Sequence, residues 1–496
     1  MLEGLLMAVT PASLLVIIIG VLSGILVGAL PGFTATMGTA LLLPFTFALP
    51  PEQGLAMLGA LYVASQLADS IPACLVNTPG TPSAVATAFD GFPLTKQGRG
   101  QAAIVASGFS ALIGTAVGGF TFMFLSGPLA DVALRFGPPE FFWIGVFALT
   151  IIGSIAGDSL AKGIAGGVLG MLIATIGISA TGAVSRYTFG ITELRGGLNV
   201  VAALIGIFAV PQVLSLVSKR GEHHTIATYK REPGVALATV KEILVKPVNV
   251  LRSSIIGTLV GILPGAGGPI ATLVSYNEAV RWSKEKEKFG KGALEGVVAS
   301  EAAGNGAAGG AMVPLVALGI PGSAPAAVIL GALLLQGIRP GPQFFMTEPA
   351  LVYSFAWAII LAGVIAFFVA MFLAGGLARM VMIPVRLLAP IVMFLSVVGA
   401  FAIRSHIMDV FLMLGLGVAV YFLAQLGFHP GPIGLGVILG PIIEPALVQA
   451  MAMAEARSVF QVFFGRPVSM MIVGVTIASI AWVIWSHHRG RRHVFD

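Results

Sequence analysis

Gly28-Ala29-Leu30-Pro31-Gly32 recurs as Gly261-Ile262-Leu263-Pro264-Gly265, each copy following an apolar segment and preceding a helix of small residues. A second break follows each copy: Asn77-Thr78-Pro79-Gly80-Thr81-Pro82 in the first half and Ile320-Pro321-Gly322-Ser323-Ala324-Pro325 in the second. Lipid cannot satisfy backbone N–H and C=O groups released from a helix. Non-helical backbone therefore persists at membrane depth only where protein buries it or where it lines a cavity. Paired, Gly/Pro-interrupted hydrophobic segments in corresponding halves are the sequence mark of a transporter binding site.

The composition makes the membrane reading firm. Of 496 residues, 57% are hydrophobic and 10% charged, against roughly 25% charged in soluble domains. Mean hydropathy is +0.98. Apolar stretches long enough to span a bilayer include 101–126, 138–157, 160–181, 198–217, 293–313, 350–377, 382–403, 407–426 and 467–485. With the broken segments, about ten to thirteen crossings are expected at ~20 residues each. The 64 glycines suit close helix approach in lipid. A single cysteine, Cys74, excludes an intrachain disulfide framework, and the scattered histidines do not suggest a zinc site.

The net charge of +6 reads as membrane topology rather than nucleic-acid binding, because the basic residues sit in short loops beside apolar segments. Lys219, Arg220, Lys230, Arg231, Lys241, Lys246 and Arg252 form one cluster; Arg281, Lys284, Lys286, Lys288 and Lys291 form another; Arg489, Arg491 and Arg492 lie near the end. All three are expected on the cytoplasmic side. The N-terminus, with Glu3 and no Lys or Arg before Lys96, is expected outside, and it carries no cleavable signal pattern.

The polar stretch divides the chain into a first membrane repeat (1–217), a basic cytoplasmic linker (218–250), a second repeat (251–465) and an extra C-terminal helix with a basic cytoplasmic tail (466–496). An odd number of crossings in the first half makes its duplicate inverted. The expected fold is all-α and polytopic, with two inverted repeats and re-entrant or broken helices. Around Leu263-Pro264-Gly265 each arm is about 14 residues, roughly 21 Å of helix, too short to span comfortably. Ala64-Ser65-Gln66 and Ala299-Ser300-Glu301 read as cognate positions of the two repeats.

Helices starting after these breaks present free N–H groups and a positive dipole end, which bind carboxylate or phosphate without Lys or Arg. Thr34, Thr36, Thr81, Ser83 and Ser323 are placed to cap such helices or to touch the anion. Carbonyls at the opposite arms, with Asp69, Asn77, Asn305 or Glu301, could coordinate Na⁺ or relay a proton. Plainer readings stand beside these. Ala307-Ala308-Gly309-Gly310 suits a packing face, membrane Ser and Thr commonly bond their own helix, and Asp158 beside Lys162 suits a structural pair. Arg186, Glu193, Arg195 and Lys96 read as loop residues explained by topology or partner contact. Enzyme motifs fail: Gly265-Ala266-Gly267-Gly268 lacks the Lys-Ser/Thr of a phosphate loop, and no H-E-x-x-H or G-x-S-x-G occurs.

The assembled motifs resemble the large membrane subunit of the tripartite tricarboxylate transporters. The resemblance rests on the doubled Leu-Pro-Gly, Asn77-Thr78-Pro79-Gly80, Asp90-Gly91-Phe92-Pro93-Leu94 and Gly157-Asp158-Ser159. It continues through Arg186-Tyr187-Thr188-Phe189-Gly190, Ile205-Gly206-Ile207-Phe208-Ala209, Gly319-Ile320-Pro321-Gly322 and Leu439-Gly440-Pro441 with Glu444. It implies a bacterial inner-membrane secondary transporter of tri- and dicarboxylates such as citrate, driven by Na⁺ or H⁺, with no cofactor. Two partners are implied, a small membrane subunit and a periplasmic solute-binding protein, in a lipid-embedded complex that is compatible with a homodimer. Carried over by residue, the substrate site comprises Pro31, Gly32, Thr34, Thr36, Asn77, Thr78, Pro79, Gly80, Thr81, Pro264, Gly265, Pro321, Gly322 and Ser323. Asp69, Asn305 and Glu301 are the ion-coupling candidates. The stretch Ala450 to Arg457 departs from the arginine-bearing pattern expected there and receives no substrate role. An uncoupled channel or facilitator, a membrane-embedded enzyme and a non-transporting scaffold are the alternatives.

Overall fold

A computed structural model describes the chain except residues 31, 156–158, 180–181, 183, 219–231, 381–384, 456–457 and 493–496. Pro31, Asp158, Lys219, Arg220, Lys230 and Arg231, singled out above, lie outside the described residues. The described chain is almost entirely helical, apart from a two-stranded antiparallel hairpin of β1 (Gly177–Ile178) and β2 (Ser185–Arg186).

The first half runs α1 (Leu2–Ala8), α2 (Pro11–Ala29), α3 (Ala35–Leu42), α4 (Pro51–Ala68), α5 (Ser70–Val76), α6 (Val85–Lys96), α7 (Gly100–Ala133), α8 (Pro138–Ile155), α9 (Leu160–Ala174) and α10 (Val200–Ser218). The second half repeats that order: α11 (Val235–Val245), α12 (Pro247–Ile262), α13 (Gly267–Trp282), α14 (Leu294–Gly310), α15 (Met312–Leu318) and α16 (Ala324–Leu335). A short α17 (Pro342–Thr347) precedes α18 (Pro349–Met380), α19 (Val385–Arg404), α20 (Ile407–Gln425) and α21 (Pro430–Ala454). Then α22 (Val459–Phe464) and α23 (Pro467–Arg492) follow without a first-half equivalent. The stretch read as a linker thus contains α11, which bends by 77° into α12.

Glycines fix how the halves are built. A Cβ at Gly20, Gly24 or Gly28 of α2 would collide with carbonyls of Met57, Leu61 or Ser65 on α4. Gly257 and Gly261 of α12 meet the Ala303 and Ala307 carbonyls of α14 in the same way. This backbone-on-backbone approach is how membrane helices gain packing energy without a hydrophobic driving force. It also sets the register between repeats. Ser65, facing Gly28, corresponds to Ala307, facing Gly261, and not to Ser300. The sequence pairing of Ala64-Ser65-Gln66 with Ala299-Ser300-Glu301 is therefore wrong by about two helical turns.

The halves interlock. Helix α7 of the first half lies against α14 of the second, where Gly114 and Gly118 meet the Ala302 and Gly306 carbonyls. Helix α18 of the second half lies reciprocally against α4, with Phe355 filling the space at Gly59. At the periphery α8 and α9 pack on α21, while α19 and α20 pack on α10. Each flank therefore combines a helix pair from one half with the terminal helix of the other.

Among the described residues seven helices are long and apolar enough to cross a membrane by themselves, including α21, which is absent from the spans read off the sequence. The expected ten to thirteen crossings require the shorter apolar helices, such as α9, α16 and α23, to contribute. Large apolar side chains face outward, among them Phe124, Phe368, Phe372, Phe394, Phe411 and Phe422, as expected of a lipid-facing surface. Ion pairs between half-exposed arginines and buried carboxylates lock the flanks. Glu140, fully buried, accepts from Arg466 (2.7 Å), Ser469 (2.6 Å) and the Gly137 amide (2.7 Å), and Arg404 holds Asp409 with two hydrogen bonds (3.0 and 2.8 Å).

Candidate functional site

Each break is a helix end followed by a new helix start, and three of the four starts are capped by a side chain. Helix α5 ends at Asn77 in the left-handed conformation (φ 57°), and α15 ends equivalently at Gly319 (φ 72°). Asparagine is the non-glycine residue that best tolerates that geometry. Beyond the turn, Gly80 donates to the Asp69 carbonyl and Gly322 to the Ala311 carbonyl, both at 3.3 Å. A Cβ at either glycine would strike the partner helix, at the Gly28 or Gly261 carbonyl. The next residues are N-caps: Thr81 Oγ1 accepts from Ser83 N (3.2 Å) and Ser323 Oγ from Ala326 N (3.3 Å). Thr34 caps α3 through Met37 N (3.2 Å). Helix α13 starts after Pro264-Gly265 without a side-chain cap.

Three of the four breaks meet directly. The Gly265 amide donates to the Gly322 carbonyl (2.9 Å), joining the two breaks of the second half. Gly267 lies beside Ser323, and Gly268 lies against Ser83 and Gln66. From α4, Tyr62 reaches Ser323 (3.1 Å) and Gln66 donates to Ser83 (3.3 Å). One turn apart on a single helix face, these two side chains connect the helix starts of both halves. The fourth break is held differently: the Gly32 carbonyl accepts from Gln212 of α10, and Leu216 fills the space beside Gly32. Thr36 is buried in the first turn of α3.

The two carboxylates are buried among hydroxyls. Asp69, at the α4–α5 junction, accepts from Thr81; Glu301 of α14 accepts from Thr87 of α6 (2.5 Å), which also contacts Ser300 (2.8 Å). Asp69 and Glu301 are 1% and 3% exposed, and among the described residues neither has a cationic partner. The repeat is asymmetric here: Ala311 stands where the first half has Asp69. Asn305 donates to the Glu301 carbonyl (3.1 Å), and its Oδ1 is buried without a protein partner among the described residues. Lys162 donates to the Leu426 carbonyl (2.7 Å); its expected pairing with Asp158 lies outside the described residues.

Three residues of the site escape sequence reading: Tyr62, Thr87 and Gln212. The signal for Tyr62 is its spacing of four from Gln66. Nothing local marks Thr87 or Gln212, whose partners lie on the opposite half or at the opposite end of the same half. Asp90, read as part of a motif, is structural. It accepts from Tyr276 (2.8 Å) and from the Gly292 and Ala293 amides (2.9 and 2.8 Å), capping α14 across the repeat boundary.

Interlocked repeats with helix starts meeting in the interior define a multi-pass membrane protein of the transporter class. The chain belongs to the tripartite tricarboxylate transporter TctA family, whose model matches residues 14–435. It is 33% identical over 490 residues to an uncharacterized 52.8 kDa protein of the TAR-I ttuC' 3' region in Agrobacterium vitis, covering 98% of this chain and 96% of that one. A second protein of that organism, from the TAR-II ttuC' 3' region, is 33% identical over 236 residues, 48% of this chain and 97% of its own length. No solved structure matches. The family is one of transporters rather than enzymes, and its three-part organisation implies a small membrane subunit and a periplasmic binding subunit as partners.

Proposed function

We propose that the chain is the large permease subunit of a bacterial inner-membrane transporter that takes up tri- or dicarboxylates, with energy from a Na⁺ or H⁺ gradient. The observation that supports this most is the meeting of the α6, α13 and α16 starts, where Tyr62, Gln66, Ser83 and Ser323 offer hydrogen bonds but no basic side chain. Helix N-termini stabilise an anion through free amides and the dipole, and a site without Lys or Arg can release its carboxylate. Pro79-Gly80-Thr81, Pro264-Gly265 and Pro321-Gly322-Ser323 would shape that site, with Asn77 and Thr78 at its edge and Gly32, Thr34 and Thr36 at the fourth break.

Asp69 and Glu301 carry the coupling in this reading, with Asn305 beside Glu301. A carboxylate buried without a cationic partner needs a proton or a bound cation to be stable there. Filling that role with the driving ion ties its gradient to the carboxylate's movement. The N-terminus would face the periplasm and the basic segments the cytoplasm, and the repeats would be inverted, with the broken-helix region moving against the flanks to alternate access. A homodimer of the membrane complex is compatible with this arrangement.

Reconstitution with both partner subunits tests the reading. Citrate uptake should require an imposed Na⁺ or H⁺ gradient. Asp69→Asn should abolish that dependence, and Gly80→Val should abolish uptake. Gradient-independent uptake by the wild type would instead indicate a facilitator, and wild-type rates in both variants would remove the site.

A further inference from the structure

Away from the helix breaks, a cavity of about 490 Å³ opens between the end of α9, the start of α10 and the middle of α21. Its lining includes Arg186, Arg195, Gly196, Gly197 and Glu444. The volume is that of a small-molecule site. Among the described residues its lining carries one carboxylate, Glu444, and two guanidinium groups, Arg186 and Arg195. Arg186 is committed to Glu444, at 2.7 and 3.1 Å, and its Nε is buried. Arg195 is exposed at the rim, and its side chain has no ion pair among the described residues. Arg195 is left to receive a carboxylate in paired hydrogen bonds, while the Arg186–Glu444 pair forms part of the wall around it.

Its position follows from α10. That helix crosses from Val200, which lines the cavity, to Ser218, next to the basic stretch beginning at Lys219. Basic stretches of this kind stay on the cytoplasmic side, so the cavity lies on the opposite, outer face. On that face a positive concavity raises the local concentration of an anion before it reaches the interior.

We infer that this cavity is a second carboxylate-binding site, an outer vestibule in which Arg195, at the rim of a wall that includes the Arg186–Glu444 pair, holds a small di- or tricarboxylate ahead of the central helix starts. The inference rests on the proposed carboxylate transport for its physiological ligand, but its test does not need transport. Cys74, the single cysteine, is fully buried, so a cysteine introduced at the rim reports alone. Gly196 is exposed, its φ is not left-handed, and an added Cβ there meets nothing within 4 Å.

Gly196→Cys in the full chain, in right-side-out membrane vesicles, is labelled with a membrane-impermeant thiol reagent with and without millimolar citrate. Citrate should slow labelling about fivefold or more, as expected when ligand exceeds its dissociation constant several-fold. Arg195→Glu in the same background should abolish that protection, and Arg195→Lys should retain part of it. Equal labelling rates with and without citrate would overturn the site, as would protection that survives Arg195→Glu. Labelling only after the vesicles are opened would overturn its outer placement. If citrate protects but is not transported, the transport reading falls and the vestibule stands. If transport occurs without protection, the vestibule alone falls.

Discussion

At the residue scale, glycine plays two different parts in this chain, and substitution separates them. Gly28 sits where a Cβ would drive α2 off the Ser65 carbonyl; Gly28→Ala should lower stability by about 1–3 kcal/mol, the usual range for overpacking. Gly415 lies inside α20, exposed, with nothing within 4 Å of an added Cβ. Gly415→Ala should therefore stabilise by about 0.5–1 kcal/mol, because the unfolded chain loses freedom at no steric cost. Thermal unfolding in detergent distinguishes the two, and equal shifts would refute the packing argument. Thr81 makes two bonds, capping at Ser83 N and donating to Asp69. Thr81→Val deletes both at nearly constant volume and should cost about 1–3 kcal/mol, with uptake lost. Thr81→Ser keeps the hydroxyl and should leave both near wild type. Asp69 and Glu301 are visible in sequence as carboxylates in apolar runs. Thr81, the partner of Asp69, is legible at its break, but Thr87 is not, because it reaches Glu301 from the other half of the chain.

At the scale of elements, the breaks are the most legible feature and the register between repeats the least. A Pro-Gly pair in an apolar run announces itself locally: proline removes a helical donor and glycine accepts the positive φ that follows, as at Gly265 (φ 80°). Register is a property of packing. The chance likeness of Ala-Ser-Gln to Ala-Ser-Glu outweighs, in sequence, the glycine-to-carbonyl contacts that set the true correspondence, and no single-sequence pattern displays those contacts. Helix α21 is hidden for a related reason. Pro441 and Pro445 lie inside it and read as interruptions, although membrane helices tolerate proline where neighbours compensate. The break between α12 and α13 carries its own expectation. Pro264→Ala restores the missing donor, so hydrogen exchange across 261–268 should slow as helix extends into the gap, with citrate uptake falling at least about tenfold if a misplaced helix start costs 1.4 kcal/mol or more. Unchanged exchange with normal uptake would show that Gly265 alone sets the break.

On the scale of the whole molecule, duplication is readable but interlocking is not. Charge placement and repeated motifs divide the chain at the basic stretch, and either half on its own reads as a plausible bundle. The structure shows that neither is complete. The first half leaves the Gly59 face of α4 uncovered until α18 arrives, and α14 of the second half depends on α7 of the first, with glycines on α7 pressed against α14 backbone. The flanks are exchanged in the same sense, α21 closing on α8 and α9 while α10 closes on α19 and α20. Such an arrangement should fold as one cooperative unit, even though its covalent midpoint lies in a polar stretch. Cutting the gene within 219–231 tests this without removing a described residue. Each half expressed alone should be degraded, because its glycine-lined faces and buried polar groups such as Glu301 would be left to lipid at a cost of several kcal/mol. Co-expressed halves should copurify from detergent and restore uptake when the partner subunits are present. A first half that accumulates as a stable, monodisperse protein by itself would mean that the repeats are independent domains, and that the helix starts meet by docking rather than by shared folding.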